Sequence, residues 1–188
     1  MAIRYERRWH LDPKCVFCRQ LVPSTKNEAE KYTKKRIEAS DPVTIYEAGL
    51  KQYDKGDYSS AFDYYTRAAE LGNVGAKFSL SFMYRDGHGV EKDGGKRMHH
   101  LEEAAIGGDP SARYNLGCIE EESGNIEKAA RHWNIAAKQG DDDSIKVLLK
   151  MFKRGFVEKE VLAAALRAHQ AAVDATKSPQ RNAAEAYC

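Results

Sequence analysis

Three stretches of this chain end alike, at Arg67-Ala68-Ala69-Glu70-Leu71-Gly72, at Glu102-Glu103-Ala104-Ala105-Ile106-Gly107-Gly108 and at Asn134-Ile135-Ala136-Ala137-Lys138-Gln139-Gly140. Their Ala-Ala pairs fall 36 and then 32 residues apart. Self-similarity at such a period restricts the fold to stacked supersecondary units, because one unit cannot bury its own apolar stripe and its neighbours must supply the opposite wall.

The residues around each repeat end say what the units are made of. Every closing glycine is followed at once by an Asx residue: Gly72-Asn73, Gly108-Asp109-Pro110 and Gly140-Asp141, while Asp41-Pro42 opens the first unit in the same way. Glycine accepts the left-handed conformation past a helix end, the Asx oxygen accepts an orphan amide, and proline suits the first helical position. A second junction lies inside each unit, at Gly56-Asp57, from Gly89 to Asp93, and at Gly124-Asn125. Asp57, Asp93 and Asn125 each stand four residues before the aligned positions Ala61, Arg97 and Ala129. Each unit therefore predicts a helix, a turn and a second helix. Apolar residues recur at three and four rather than at two, which argues against strands.

Within the first helices, Ala76, Leu80, Ser81 and Tyr84 align with Ala112, Leu116, Gly117 and Glu120, and with Thr44, Ala48, Gly49 and Gln52. A degenerate fourth copy follows at Ser144, Leu148, Leu149 and Phe152. The small residue after the apolar one (Gly49, Ser81, Gly117) lets the paired helix approach closely. Leu149 breaks that rule.

These residues carry a family resemblance. Residues 76–97, AKFSLSFMYRDGHGVEKDGGKR, followed by Glu102 to Ala112, resemble the Sel-1-like repeat: alanine, then leucine with a small residue, then tyrosine, a glycine-rich loop, and a closing Ala-Ala before glycine. The middle unit carries the loop extension that separates this family from the tetratricopeptide type, whereas the outer units are similar to plain tetratricopeptide pairs. Arg97 and Leu101 depart from the alanine and large aromatic usual there; Ala61 with Tyr65 and Ala129 with Trp133 keep them. The resemblance covers Asp41 to Gly140. It implies an all-α protein, an α-solenoid of stacked antiparallel helix pairs, that holds protein partners as an adaptor or scaffold. The expected units are 41–72, 73–108, 109–140 and a degenerate 141–157. A capping helix over 158–178, with Val161, Leu162, Ala165, Leu166 and Val173 at helical spacing, and a flexible tail over 179–188 complete the chain.

Residues 1–23 hold the pair Cys15-Val16-Phe17-Cys18 followed by Arg19, which resembles the last ligand pair of a RING finger. A capping box of Ser24-Thr25 and Glu28 then starts a charged linking helix over 24–40. That order is similar to algal proteins that join a RING finger to such repeats. It implies a second role, the substrate-recognition arm of a ubiquitin ligase, with a ubiquitin-conjugating enzyme as partner if the RING is completed elsewhere. A structural zinc takes four ligands, and upstream of Cys15 only His10 can serve. The expectation is thus no cofactor and less than one tightly bound zinc. The cysteines are a remnant without metal, part of a site completed by a partner or a distant residue, or two small apolar side chains under a loop.

The remaining features exclude more than they assign. Lysine and arginine number 30 against 28 acidic residues, a formal net charge of +2, too weak a field to demand nucleic acid or an anionic membrane. The basic clusters Arg4 to Arg8 and Lys31 to Arg36 are diluted by Glu6, Glu28, Glu30 and Glu38. No apolar run approaches the roughly 18 residues of a membrane span, so cytosol or nucleus is expected. Cys15, Cys18, Cys118 and Cys188 do not form a disulfide framework, and reduced thiols are expected. The loop from Arg85 to Arg97 follows a helix and lacks a Gly-Lys-Ser/Thr ending, so it reads as a connector rather than a phosphate cradle. His99 and His100 are adjacent, which points their rings to different helix faces and away from a shared metal. Cys118 has no evident base beside it and reads as an inert or groove-lining thiol. No nucleophile, base and orienting group occur together, so no enzyme is expected.

The candidate binding residues come from the helix faces that the core leaves over. If Ala76, Leu80 and Tyr84 face the paired helix, Phe78 and Phe82 project elsewhere at i and i+4. The aligned positions hold Tyr46 and Leu50, Tyr114 and Cys118, and Lys146 and Lys150, with Tyr53, Arg85, Glu121 and Lys153 one turn on. By resemblance to tetratricopeptide arrays, these first-helix positions line a concave groove. The row runs from aromatic to basic and suits an apolar or aromatic segment followed by acidic residues. The alternative is that the rings pack between neighbouring first helices or under the Cys-x-x-Cys segment.

Overall fold

The computed structural model describes residues 25–176, and those residues form nine helices and no strand. They are α1 (Lys26–Glu38), α2 (Pro42–Asp54), α3 (Tyr58–Glu70), α4 (Val74–Asp86), α5 (Gly94–Ile106), α6 (Pro110–Glu122), α7 (Ile126–Lys138), α8 (Asp142–Lys153) and α9 (Lys159–Thr176). Cys15, Cys18 and the tail over 179–188 lie outside the described residues.

Local chemistry sets the helix starts. Asp57 accepts from the Ser60 amide at 3.2 Å, Asn73 from Ala76 at 2.8 Å, Asp93 from Lys96 at 2.9 Å, Asp109 from Ala112 at 2.7 Å and Asp141 from Ser144 at 2.7 Å. Each such cap is worth about 0.5–2 kcal/mol against alanine. Asn125 is the exception: α7 opens with no side-chain cap, and the Asn125 side-chain Nδ2 instead donates to Glu120 Oε2 at 2.8 Å. The stops are equally local. Gly72 takes φ +86°, which lets the Asn73 amide turn back onto the Ala68 carbonyl at 2.9 Å. Ser40 occupies the same left-handed region at φ 56° without being glycine, and Arg67 from α3 reaches across to the Ile37 carbonyl at 2.9 Å and to Ser40 Oγ at 3.4 Å. The linking helix α1 is thereby tied to the first pair.

The helices pair in succession, α2 with α3, α4 with α5 and α6 with α7, and the pairs stack into an α-solenoid. Its core lies chiefly between pairs. Ala61, Tyr65 and Ala68 of α3 meet Ile45 of α2 and Ala76, Leu80 and Met83 of α4. Leu101, Ala104 and Ala105 of α5 meet Ala112 and Leu116 of α6. Trp133 and Ala137 of α7 meet Ile145, Leu148 and Met151 of α8 together with Leu162 and Ala165 of α9. Val161 and Leu166 do not join that last cluster; each is 39% exposed, because α9 presents only the Leu162 and Ala165 side to α7 and α8. Ile45, Met83, Ile145 and Met151 are buried core residues that the repeat alignment did not single out.

Within a pair, approach is limited by the small residue. A Cβ on Gly117 would lie 2.4 Å from Trp133 Nε1, and one on Gly49 would lie 2.6 Å from the Tyr65 ring. Gly117→Ala therefore forces a fully buried indole to move, at about 1–3 kcal/mol, against a helix-propensity gain of about 1 kcal/mol. Net destabilisation in urea unfolding is the expected result; an unchanged midpoint would mean that α6 and α7 are not in such close contact.

Candidate protein-binding face and inter-repeat clefts

The first helices α2, α4, α6 and α8 carry the row of candidate binding residues, and packing divides it. Tyr46 is half-buried in the seam between α2 and α4, 5.6 Å from the Tyr65 ring, with its hydroxyl 3.5 Å from Ser79 Oγ. The Tyr53 hydroxyl lies 2.9 Å from His88 Nδ1, and His88 stacks on Tyr58 at 4.3 Å. This pins the glycine-rich loop after α4, where Gly89 passes so close to the Tyr58 carbonyl that a Cβ would clash with it. Phe78 packs against the α5–α6 cluster, and Tyr114 and Cys118 against the Trp133 cluster.

Leu50, Arg85 and the α8 lysines of the row are exposed, while Phe82 is half-buried. Leu50 is 38% exposed. Phe82 meets Phe78 edge-on at 4.8 Å and carries the Arg85 guanidinium over its face at 4.4 Å. On α8, Lys146, Lys150 and Lys153 are all exposed. Lys146 pairs with Asp143 at 2.7 Å. Burial pushes the Cys118 thiol above its usual pKa, partly offset by the Tyr114 hydroxyl beside it. A protonated, half-buried thiol is a poor nucleophile.

On the second-helix side, two clefts occupy repeat-equivalent places. The first, of about 580 Å³, lies among α3, α4 and α5 and includes Phe62, Thr66, Lys77, Leu80, Tyr84 and His100. The second, of about 180 Å³, lies among α5, α6 and α7 and includes Met98, Glu102, Arg113, Leu116, Glu120 and His132. Residue by residue these sets are one repeat apart, and neither was anticipated. The available signal was a change within one aligned position, which holds Ile45, Lys77, Arg113 and Ile145 in turn. Isoleucine fills the core at the ends, and a cation opens a cleft in the middle. Thr66 Oγ1 and His100 Nδ1 in the first cleft, and Arg113 Nε and His132 Nδ1 in the second, are buried with no hydrogen-bond partner among the described residues. Burial holds both imidazoles below their usual pKa, helped by His99 beside His100 and by Arg113 beside His132.

One expectation about histidine needs correction. His99 and His100 leave the helix in different directions, yet their rings are only 5.3 Å apart. Both lean toward Glu103, one turn on: His99 Nε2 is 3.6 Å and His100 Nδ1 is 3.9 Å from the same Oε2. The side chains are long enough to converge over one turn although their Cβ atoms diverge.

Comparison with known proteins places these features in context. The family model described as Sel1 repeat matches residues 44–73, 74–109 and 110–141, more than half of the chain. Chitin synthase regulatory factor 4 of Schizosaccharomyces pombe is 31% identical over 86 residues, which are 45% of this chain and 14% of that protein. An exopolysaccharide production negative regulator of Rhizobium leguminosarum is 39% identical over 54 residues, 29% of this chain and 20% of that protein. The chain thus spans a fifth or less of these relatives. A Sel1 repeat protein crystal structure from Oxalobacter formigenes shares the fold, with a TM-score of 0.64 at 24% identity, over 76% of this chain and 63% of that one. Among the described residues, no helix is long and apolar enough to cross a membrane.

Proposed function

Because the chain belongs to the Sel1 repeat family, whose members bind protein partners, we propose that it is a protein–protein interaction adaptor that holds a partner segment along its first helices and catalyses no reaction. The observation that carries this reading is the outward part of the row, which changes from Leu50 and Phe82 with Arg85 on α2 and α4 to Lys146, Lys150 and Lys153 on α8. Ring and leucine side chains supply anchors that bury area at low entropy cost, and the lysines steer and orient an acidic segment. The partner segment is therefore apolar or aromatic at one end and acidic at the other. The adaptor acts in the cytosol or nucleus.

Phe82→Ala and Lys150→Glu test this in parallel. Phe82→Ala is expected to weaken partner capture with only a small change in melting, because Phe82 is half-buried and belongs to none of the three core clusters; Lys150→Glu should lower capture and its salt dependence with no change in melting. Strong destabilisation by Phe82→Ala, together with unaltered capture by Lys150→Glu, would make the row core rather than binding surface.

A second reading rests on Cys15 and Cys18. In it the solenoid is the substrate-recognition arm of a RING-type ubiquitin ligase. Association with a ubiquitin-conjugating enzyme that is lost on Cys15→Ser would favour it over a plain adaptor.

A further inference from the structure

We propose that His99, His100 and Glu103 of α5 bind a divalent transition-metal ion of the zinc class at the mouth of the α3–α4–α5 cleft. The ligand atoms His99 Nε2, His100 Nδ1 and a Glu103 carboxylate oxygen all lie within 4.8 Å of one another. Two imidazoles and one carboxylate form a donor set that suits zinc, whose bonds of about 2.0–2.2 Å bring ligand atoms to roughly 3.3 Å from each other. The two nitrogens are already 3.6 and 3.9 Å from Glu103 Oε2, so small side-chain rotations close the set.

The surroundings hold these ligands in place. His100 stacks nearly parallel on Tyr84, 5.6 Å away at 9°, which fixes its ring. Its Nδ1 is buried and has no hydrogen-bond partner among the described residues. Lys77 holds the other carboxylate oxygen, Glu103 Oε1, at 3.4 Å, an outer contact that orients the carboxylate and leaves Oε2 for the ion. His99 is two-thirds exposed and gives the ion a way in. The remaining coordination position opens toward the cleft, which His100 and Glu103 line together with Phe62, Thr66 and Leu80. A donor atom of a bound molecule can complete it there.

The repeat supplies its own control. One unit later, the equivalents of His99, His100 and Glu103 are Arg131, His132 and Ile135; one unit earlier they are Asp63, Tyr64 and Arg67. Only the middle unit has the ligand set. With three protein ligands and one of them exposed, the ion exchanges freely rather than remaining locked as in a structural site. This site is separate from Cys15 and Cys18, and the expectation of less than one tightly held zinc stands beside it.

The test uses the full chain with Cys15→Ser and Cys18→Ser, so that those thiols contribute nothing, dialysed against zinc chloride and then assayed for metal. About one equivalent is expected at ~100 µM free zinc, with affinity at least about tenfold weaker in both His99→Ala and Glu103→Gln. Both substitutions change partly exposed side chains, and unchanged melting without metal confirms that the variants fold. Cobalt(II) added to the parent chain should give the visible absorption of a nitrogen- and oxygen-ligated ion, absent from both variants. No uptake by the parent, or uptake that survives either substitution, overturns the proposal.

Discussion

Trp133→Ala is expected to cost about 3–5 kcal/mol, the largest loss of any single change in this chain. The indole is fully buried and lies where α7 meets α8 and α9, in one cluster with Ile145, Leu148, Met151, Leu162 and Ala165. Its opposite face rests on Gly117 of α6. The neighbours on its own helix, Ala129, Ala136 and Ala137, are too small to fill the space it would leave. The cavity therefore persists, and its cost adds to the lost transfer energy. Against a total stability of about 5–15 kcal/mol, the change removes about a fifth or more. In a nearest-neighbour stack the damage should be local first, with α6 to α9 melting before α2 to α4. Urea unfolding followed by circular dichroism gives the total, and hydrogen exchange gives the order. A loss below about 1 kcal/mol, far under the usual cost of deleting a buried aromatic, would mean that Trp133 is not the junction of these helices.

Leu116→Ala is expected to cost about 2–5 kcal/mol. Leu116 is 5% exposed and packs with Leu101, Ala104, Ala105 and Ala112 across the α5–α6 boundary. It also lines the smaller cleft, so part of the vacated space joins a volume already open, and the loss should fall toward the lower end of that range. Both neighbouring helices should loosen, seen as faster amide exchange in α5 and α7. A melting curve unchanged from the parent would put Leu116 outside the core and invalidate the repeat register.

The stacked-pair architecture was legible because its signals are local and repeated. An Asx residue before a helix can cap it wherever the helix packs, and Asp57, Asn73, Asp93, Asp109 and Asp141 do so, whereas Asn125 does not. Leu80, Leu116 and Leu148 could be read as core because they recur in register. Met83 and Met151 could not, since their counterpart in the first unit is Lys51. The clefts were hidden for a different reason: a lysine or arginine at a helix surface reads as solvated, and only its alignment with Ile45 and Ile145 shows that it stands at a core position. His99 and His100 were misread because adjacent residues on a helical wheel diverge by about 100°, while Glu103 one turn on draws both rings to one point. The binding row divides for a reason no single-repeat pattern contains. Whether Tyr46 is covered depends on how close α4 comes, and Gly75, which sets that approach against the Tyr46 ring, belongs to the next unit.

Photo-crosslinking from single positions decides whether the first helices hold the partner. A photoreactive phenylalanine analogue placed at Phe82 or Lys150 samples the row, and the same residue at Ile106, which is 79% exposed on the second-helix side, samples the other surface. Crosslinks to one partner from Phe82 and Lys150, with none from Ile106, are the predicted result. Crosslinks to that partner from Ile106 alone would contradict the assignment and move the binding surface to the clefts.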